Sequence, residues 1–284
     1  MITRREKIAR LMARLMPGSV ISRNLAACGA AVALAALALG FWPSPAAMPT
    51  PEVLQIRAAT FDYRPFGAFR IGTRMVGAPL NQGLLGAGFA IAVYQVSRGD
   101  YLRCVRDMAC KTAASPQDGA DLMPQTGVSY QDAIAYAAWL TTRTRQVWRL
   151  PSDAEWRRAA AERAVDISPG TPAADPAQRW LAAYRAEAKA AAPDPVLRQL
   201  GSFGTNSAGI ADLAGNVWEW TSTCAVNAML AADGQLVQST DYCGVRLVEG
   251  RHRTFVPDFI RDASAGGCAA GLPPDHLGFR LVRD

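Results

Sequence analysis

The chain has 284 residues, 50% of them hydrophobic and 19% charged, with a formal net charge of +6. That length suffices for one domain of roughly 200 residues plus an appendage. The low charge content excludes a disordered polyelectrolyte.

The basic excess sits at the start. Arg4, Arg5, Lys7, Arg10, Arg14 and Arg23 face Glu6 alone within residues 1–24. Leu25 to Trp42 then carries no charge. A helix over that run is about 27 Å long, close to the thickness of a bilayer core. It shows no polar face, as a buried soluble helix at the surface of a core would. This order argues against nucleic acid as the partner of the basic residues. It predicts a cytoplasmic tail (1–24) and a single-pass anchor (25–42) in the inner membrane, with everything beyond it in the periplasm. A cleaved signal peptide ending near Pro45-Ala-Ala47 is the competing reading. Residues 43–59 are rich in Pro and Ala and read as a linker.

From residue 60 the pattern changes. Phe66, Phe69 and Ile71 suggest a strand, the Gly-rich stretch from Gly72 to Gly88 supplies turns, and Phe89 to Tyr94 reads as another strand. Cys104 and Cys110 bracket five residues without a second Cys pair or a His cluster, so a local disulfide is expected rather than a metal site. Ser129 with Asp132 forms a capping-box pattern ahead of a helix over Ala133 to Thr144. Ile134 with Ala138, and Ala135 with Trp139, give that helix its apolar face. Ser152 with Glu155 forms a second box, opening a helix to about Arg163 with Trp156 pointing inward and Glu155 as a cap. A short helix is expected over Gln178 to Ala191.

The densest stretch is Gly209-Ile-Ala-Asp-Leu-Ala-Gly-Asn-Val-Trp-Glu-Trp220. Gly209 and Gly215 mark sharp turns or close approaches, and Val217, Trp218 and Trp220 suggest a short strand. Asp212 and Glu219 end a tight turn, and two carboxylates converging with turn carbonyls suit a hard cation such as Ca²⁺. A plain Gly-Asn turn is the simpler reading. Cys224 and Cys243 flank an 18-residue insertion with Asp233-Gly234 at its tip. Arg246, Glu249, His252, Arg253, Asp258, Arg261 and Asp262 follow, much of which reads as solvated surface. No Ser-His-Asp order, P-loop or dinucleotide fingerprint occurs.

The central stretch resembles the G-L-x-D-M-x-G-N-V-W-E-W signature of the formylglycine-generating enzyme superfamily, the sulfatase-modifying-factor domains. Val128-Ser-Tyr-Gln-Asp-Ala133, Arg149-Leu-Pro-Ser-Asp-Ala-Glu-Trp156 and Leu277-Gly-Phe-Arg-Leu-Val282 resemble further motifs of it, in the same order. Ala92 to Tyr101 is similar to its E-V-T-N-x-x-Y stretch. The resemblance covers residues 60–284. It implies an α+β fold with a C-type-lectin-like core and little regular secondary structure. It also implies a structural Ca²⁺ held by the Asp212 and Glu219 side chains with the carbonyls of Gly215 and Val217.

Enzymes of the resembled family oxidise a client cysteine to formylglycine using O₂ and copper held by two thiols. Cys268-Ala-Ala fits the second thiol, but Ala263 stands where the first belongs and Gly271 replaces an Arg. Cys268 is therefore the candidate reactive centre, with Arg261 and Arg280 as its expected electropositive neighbours. A second branch uses a three-His iron site, and this chain has only His252 and His276. Two functions stay open: an oxidoreductase-like protein acting on a protein thiol, and a non-catalytic accessory domain beside a periplasmic enzyme such as a copper nitrite reductase. The exported part holds five cysteines. Pairing Cys104–Cys110 and Cys224–Cys243 leaves Cys268 over, and pairing Cys243–Cys268 leaves Cys224.

Overall fold

A computed structural model describes residues 50–114, 120–164, 196–258 and 271–284. They lie in one compact unit, Pro49–Asp284. The expected membrane anchor, the helix over Gln178 to Ala191, Arg261, Asp262, Ala263 and Cys268 lie outside the described residues. Among the described residues no helix is long and apolar enough to cross a membrane.

The strands, in chain order, are β1 (Val53–Ile56), β2 (Ala59–Tyr63), β3 (Ala68–Ile71), β4 (Arg74–Val76), β5 (Asn81–Leu85), β6 (Phe89–Ala92), β7 (Trp148–Arg149), β8 (Trp218–Leu230), β9 (Leu236–Glu249), β10 (Thr254–Pro257), β11 (Leu277–Gly278) and β12 (Val282–Arg283). The α-helices are α1 (Arg98–Arg106), α2 (Tyr130–Thr144) and α3 (Asp153–Ala160). The result is the expected α+β class, with few helices and many short strands. One sheet runs β1-β6-β12-β7, entirely antiparallel. A second runs β10-β9-β8-β3-β4, with β11 alongside β8, and β2 pairs with β5 separately. Strand β1 falls inside the stretch expected to be linker; its Ile56 is buried against Phe89, Ile91 and Trp156, and that apolar seat recruits it into the sheet.

Local signals account for the helix starts. Ser129 and Ser152 each cap a helix, and Asp132 and Glu155 return the bond in complete capping boxes. Helix α2 begins earlier than expected, at Tyr130. Its buried residues include Ala133, Tyr136, Ala137, Trp139 and Leu140, while Ala138 is exposed. Trp139 is buried as expected, but the face centres on Tyr136, which stacks on Tyr101 and meets Phe279 edge-on. Helix α3 ends at Ala160 and runs into a 3₁₀ turn over Ala161–Arg163. Trp156 is fully buried at the centre of the core between the first sheet and α3. Helix α1, capped by Ser97, was not expected from the sequence.

The expected short strand after the central turn is instead 13 residues long and forms a hairpin with β9. Gly234 sits at its tip in the left-handed region with φ +86°. The insertion between Cys224 and Cys243 is the outer part of this hairpin, and its β9 side is exposed from Leu236 to Gly244.

Candidate functional site

The loop from Gly209 to Val217 is held in an unusual conformation. Asp212, Ala214 and Asn216 all have positive φ, near 60°. Each such non-glycine residue costs on the order of 1 kcal/mol or more, so the surroundings must hold it in place. Asp212 does much of that work. It is fully buried, and its carboxylate accepts the backbone N–H of Gly201 at 2.5 Å and of Phe203 at 2.9 Å. Phe203 in turn packs where a Cβ on Gly215 would come within 2.9 Å of it.

The loop delivers Glu219 at the start of β8 into the buried centre of the domain. Both Glu219 oxygens are engaged. Oε2 accepts from Arg280 Nε at 2.6 Å and from Trp156 Nε1 at 2.7 Å. Oε1 accepts from Arg280 Nη2 at 2.7 Å and from Gln95 Nε2 at 2.8 Å. Arg280 has no exposed surface. Its remaining donors go to the carbonyls of Ala211, Val93 and Ala92. All five guanidinium donors thus have acceptors, the condition under which a buried ion pair holds together.

These contacts bear on the expected calcium ligands. The Asp212 carboxylate points to backbone amides, and the Glu219 carboxylate is neutralised by a bidentate arginine. The carbonyls of Asp212 and Gly215 lie 3.5 and 3.4 Å from Gln95 Nε2, the same nitrogen that donates to Glu219. An amide donor therefore stands among the oxygens that a cation would gather. As arranged, a calcium ion between the Asp212 and Gly215 carbonyls and the Glu219 carboxylate would have to displace the Gln95 amide and sit beside the Arg280 charge. Among the described residues no group of three or more His, Cys, Asp or Glu side chains could hold a metal ion. Arg280, expected near Cys268, is committed to Glu219.

A second buried polar cluster was not legible in the sequence. Tyr63 Oη donates to Asp153 Oδ2 at 2.5 Å, and Arg253 Nη1 donates to the same oxygen at 3.3 Å. Glu249, at the end of β9, is a hydrogen-bond neighbour of Asp153 and lies 3.5 Å from Arg157. Asp153 Oδ1 and Glu249 Oε1 are both buried without a hydrogen-bond partner, a shortfall that a proton held on Glu249 would relieve. Burial pushes the Glu249 carboxyl well above the usual range, the hydrogen bond and charge of Asp153 add to this, and Arg157 and Arg253 oppose it. The charged stretch after Cys243 is thus in good part interior: Glu249, Arg253 and Asp258 are all largely buried. Glu155 is the cap that was expected, and it also forms a bidentate pair with Arg149. His252 and His276 each meet the Trp218 ring edge-on, with centroids 5.4 Å away.

The cysteines follow the first of the two open pairings. Cys104 is bonded to Cys110, and Cys224 to Cys243. Cys268 belongs to neither.

Taken together, the loop-rich α+β unit, its Gly-Asn-Val-Trp-Glu-Trp turn and the buried Glu219–Arg280 pair define a sulfatase-modifying-factor type of domain. Residues 42–284 match the sulfatase-modifying factor enzyme 1-like domain, and the chain belongs to that family. The formylglycine-generating enzyme of Mycobacterium tuberculosis is 27% identical over 177 residues, covering 57% of each chain. The chain thus spans a little over half the length of that curated relative. Among solved structures, PvdO from Pseudomonas aeruginosa has a TM-score of 0.54 at 20% identity, over 82% of this chain and 94% of that one. Treponema denticola variable protein 1 has a TM-score of 0.52 at 15% identity, over 83% and 99%. At these identities the likeness concerns the fold alone.

Proposed function

We propose that this chain is an exported, membrane-anchored member of the family that acts on a protein thiol through Cys268. What supports the reading is the use of the other cysteines. The two disulfides take Cys104, Cys110, Cys224 and Cys243, and Cys268 is in neither. Two disulfides also suit an oxidising compartment, in keeping with an anchor over 25–42 and a domain over 60–284 in the periplasm. The copper pair of the resembled enzymes does not fit this chain, since Ala263 replaces one thiol. A lone thiolate holds Cu(I) weakly, so any copper would need a client's own cysteine as second soft ligand. Formylglycine synthesis is accordingly expected to be absent or very slow.

Alkylation of the non-reduced full chain followed by peptide mapping tests the reading. An alkylated Cys268 supports it, and a Cys268 linked to another cysteine of the chain sinks it. Alkaline phosphatase fused after Asp284 should be active; an inactive fusion would refute the periplasmic orientation. Ala263 favours a second reading, a non-catalytic accessory domain for a periplasmic enzyme such as a copper nitrite reductase. A Cys268→Ser variant that retains full support of such a partner would establish that alternative over the first.

A further inference from the structure

The disulfide between β8 and β9 differs from its counterpart beside α1 in two respects. Cys104 is wholly buried and Cys110 nearly so, whereas Cys243 is exposed and Cys224 half-buried. The second difference is Arg246. Cys224 pairs with Arg246 across the ladder and the next pair is Ala225 with Tyr242, so Cys243, Gly244 and Val245 bulge out between them. Directly opposite Cys224, the Arg246 guanidinium donates from Nη1 to Cys224 Sγ at 3.0 Å and to the Ser222 carbonyl at 2.9 Å. It is held there by stacking on the Tyr130 ring, 4.1 Å from its centroid. An acidic neighbour, Asp258, lies 3.7 Å from Nε, on a different nitrogen from the one facing sulfur.

We propose that Cys224–Cys243 is a redox-active disulfide, opened by an incoming thiolate of a dithiol reductant at Cys243, with Arg246 holding Cys224 as the leaving thiolate. The chemistry follows from the two sulfurs' surroundings. Attack on a disulfide is in line and depends on access, and Cys243 is the more exposed of the two residues. The reductant's sulfur bonds to Cys243 Sγ, the Sγ–Sγ bond breaks, and its electron pair stays on Cys224. A guanidinium within hydrogen-bond distance favours that thiolate, and a lower leaving-group pKa speeds the step. The reductant's second thiolate then attacks its own sulfur in the mixed disulfide, leaving Cys243 reduced and the reductant oxidised, two electrons having passed to the protein. The bulge matters as well. The register on either side, Cys224 with Arg246 and Ala225 with Tyr242, is set apart from Cys243, and the adjoining Gly244 and Val245 are held by β10 through the Asp258 N–H and the Val245–Pro257 pairing. The site does not need Cys268, so it stands or falls separately from the function proposed above.

Glutathione serves as a one-thiol probe whose mixed disulfide is trapped by quenching before a second glutathione thiolate resolves it. The full chain is incubated with it, quenched with an alkylating agent and mapped without reduction. The expected product carries glutathione on Cys243 and the alkyl group on Cys224, with Cys104–Cys110 intact. Arg246→Gln should slow the opening on the order of fivefold, and Arg246→Lys should retain most of the rate. In the dithiol-reduced protein, Cys224 should alkylate with a lower apparent pKa than Cys243, a difference that packing alone would not produce. Glutathione on Cys224 would overturn the proposal, as would opening no faster than Cys104–Cys110. If Arg246→Gln fails to fold, the attack site and the two alkylation profiles of the wild-type chain still decide.

Discussion

Glu219→Gln isolates the buried pair at the centre of the domain. The substitution keeps shape and removes one charge. Four donors now converge on the carboxylate, two from Arg280 and one each from Gln95 and Trp156. A glutamine in its place offers one acceptor oxygen and turns an NH₂ toward donors. Arg280 keeps its charge, has no exposed surface and cannot reach water. Removing one partner of such a pair costs about 3–5 kcal/mol. For a unit of this size that lowers the melting temperature by roughly 6–20 °C. The assay is thermal unfolding by tryptophan fluorescence, with wild type and variant each melted in excess calcium and in chelator. The expected result is a large drop for the variant, equal in both media, and no difference between media for wild type. A wild-type melting point that falls in chelator would refute the reading of Gln95 as the occupant of this centre. A variant within about 2 °C of wild type would refute the pair's structural role. Had a cation been assumed, the loss in Glu219→Gln alone would be mistaken for loss of metal, so the comparison of media carries the test.

Gln95→Glu is the converse change. It sets a second carboxylate against Glu219 and removes the amide donor, so stability should fall in chelator and recover in millimolar calcium; an equal loss in both would show that the surrounding carbonyls cannot seat a cation. Glu249 gives a pH signature. Its carboxyl is held well above its ordinary value of 4.5, mainly by burial, so the folded state binds the proton more tightly than the unfolded chain. Its contribution is therefore complete below the unfolded value and is lost as pH rises through the folded one. Glu249→Gln should flatten that decline in melting temperature above pH 4.5, and an unchanged slope would show that no proton is held there.

How much of this was legible in the sequence depends on the range of each interaction. The helix starts at Ser129 and Ser152 were readable because a capping box is written within four residues. The disulfides were readable only as alternatives, since spacing permits a pairing without selecting it. The turn at Asp233-Gly234 was readable, but the length of β8 and β9 was not, because each strand is stabilised by the other rather than by its own composition. The fate of Glu219 was least readable of all. Its partners stand at positions 95, 156 and 280, and nothing local distinguishes a carboxylate awaiting a cation from one awaiting an arginine. Only Arg280, a charge set between Phe279 and Leu281 in the apolar segment between β11 and β12, hinted that a buried countercharge was required. The charged run after Cys243 misled for the same reason: Asp153 and Tyr63 lie far away in sequence, and without them Glu249 and Arg253 read as surface.

The order of strands in the first sheet also sets a timetable for synthesis. β6 and β7 both precede β12 in the chain, but they are not paired with each other; β12 lies between them, bonded to one on each side. Arg280, two residues before β12, is the only cation hydrogen-bonded to Glu219 among the described residues. A nascent chain emerging from ribosome or translocon therefore carries an open sheet and a buried carboxylate without its counterion until its closing residues arrive. The core cannot settle piece by piece from the N-terminus. During that interval the hairpin, whose pairing is local, is free to form first, leaving the domain to close around a finished arm.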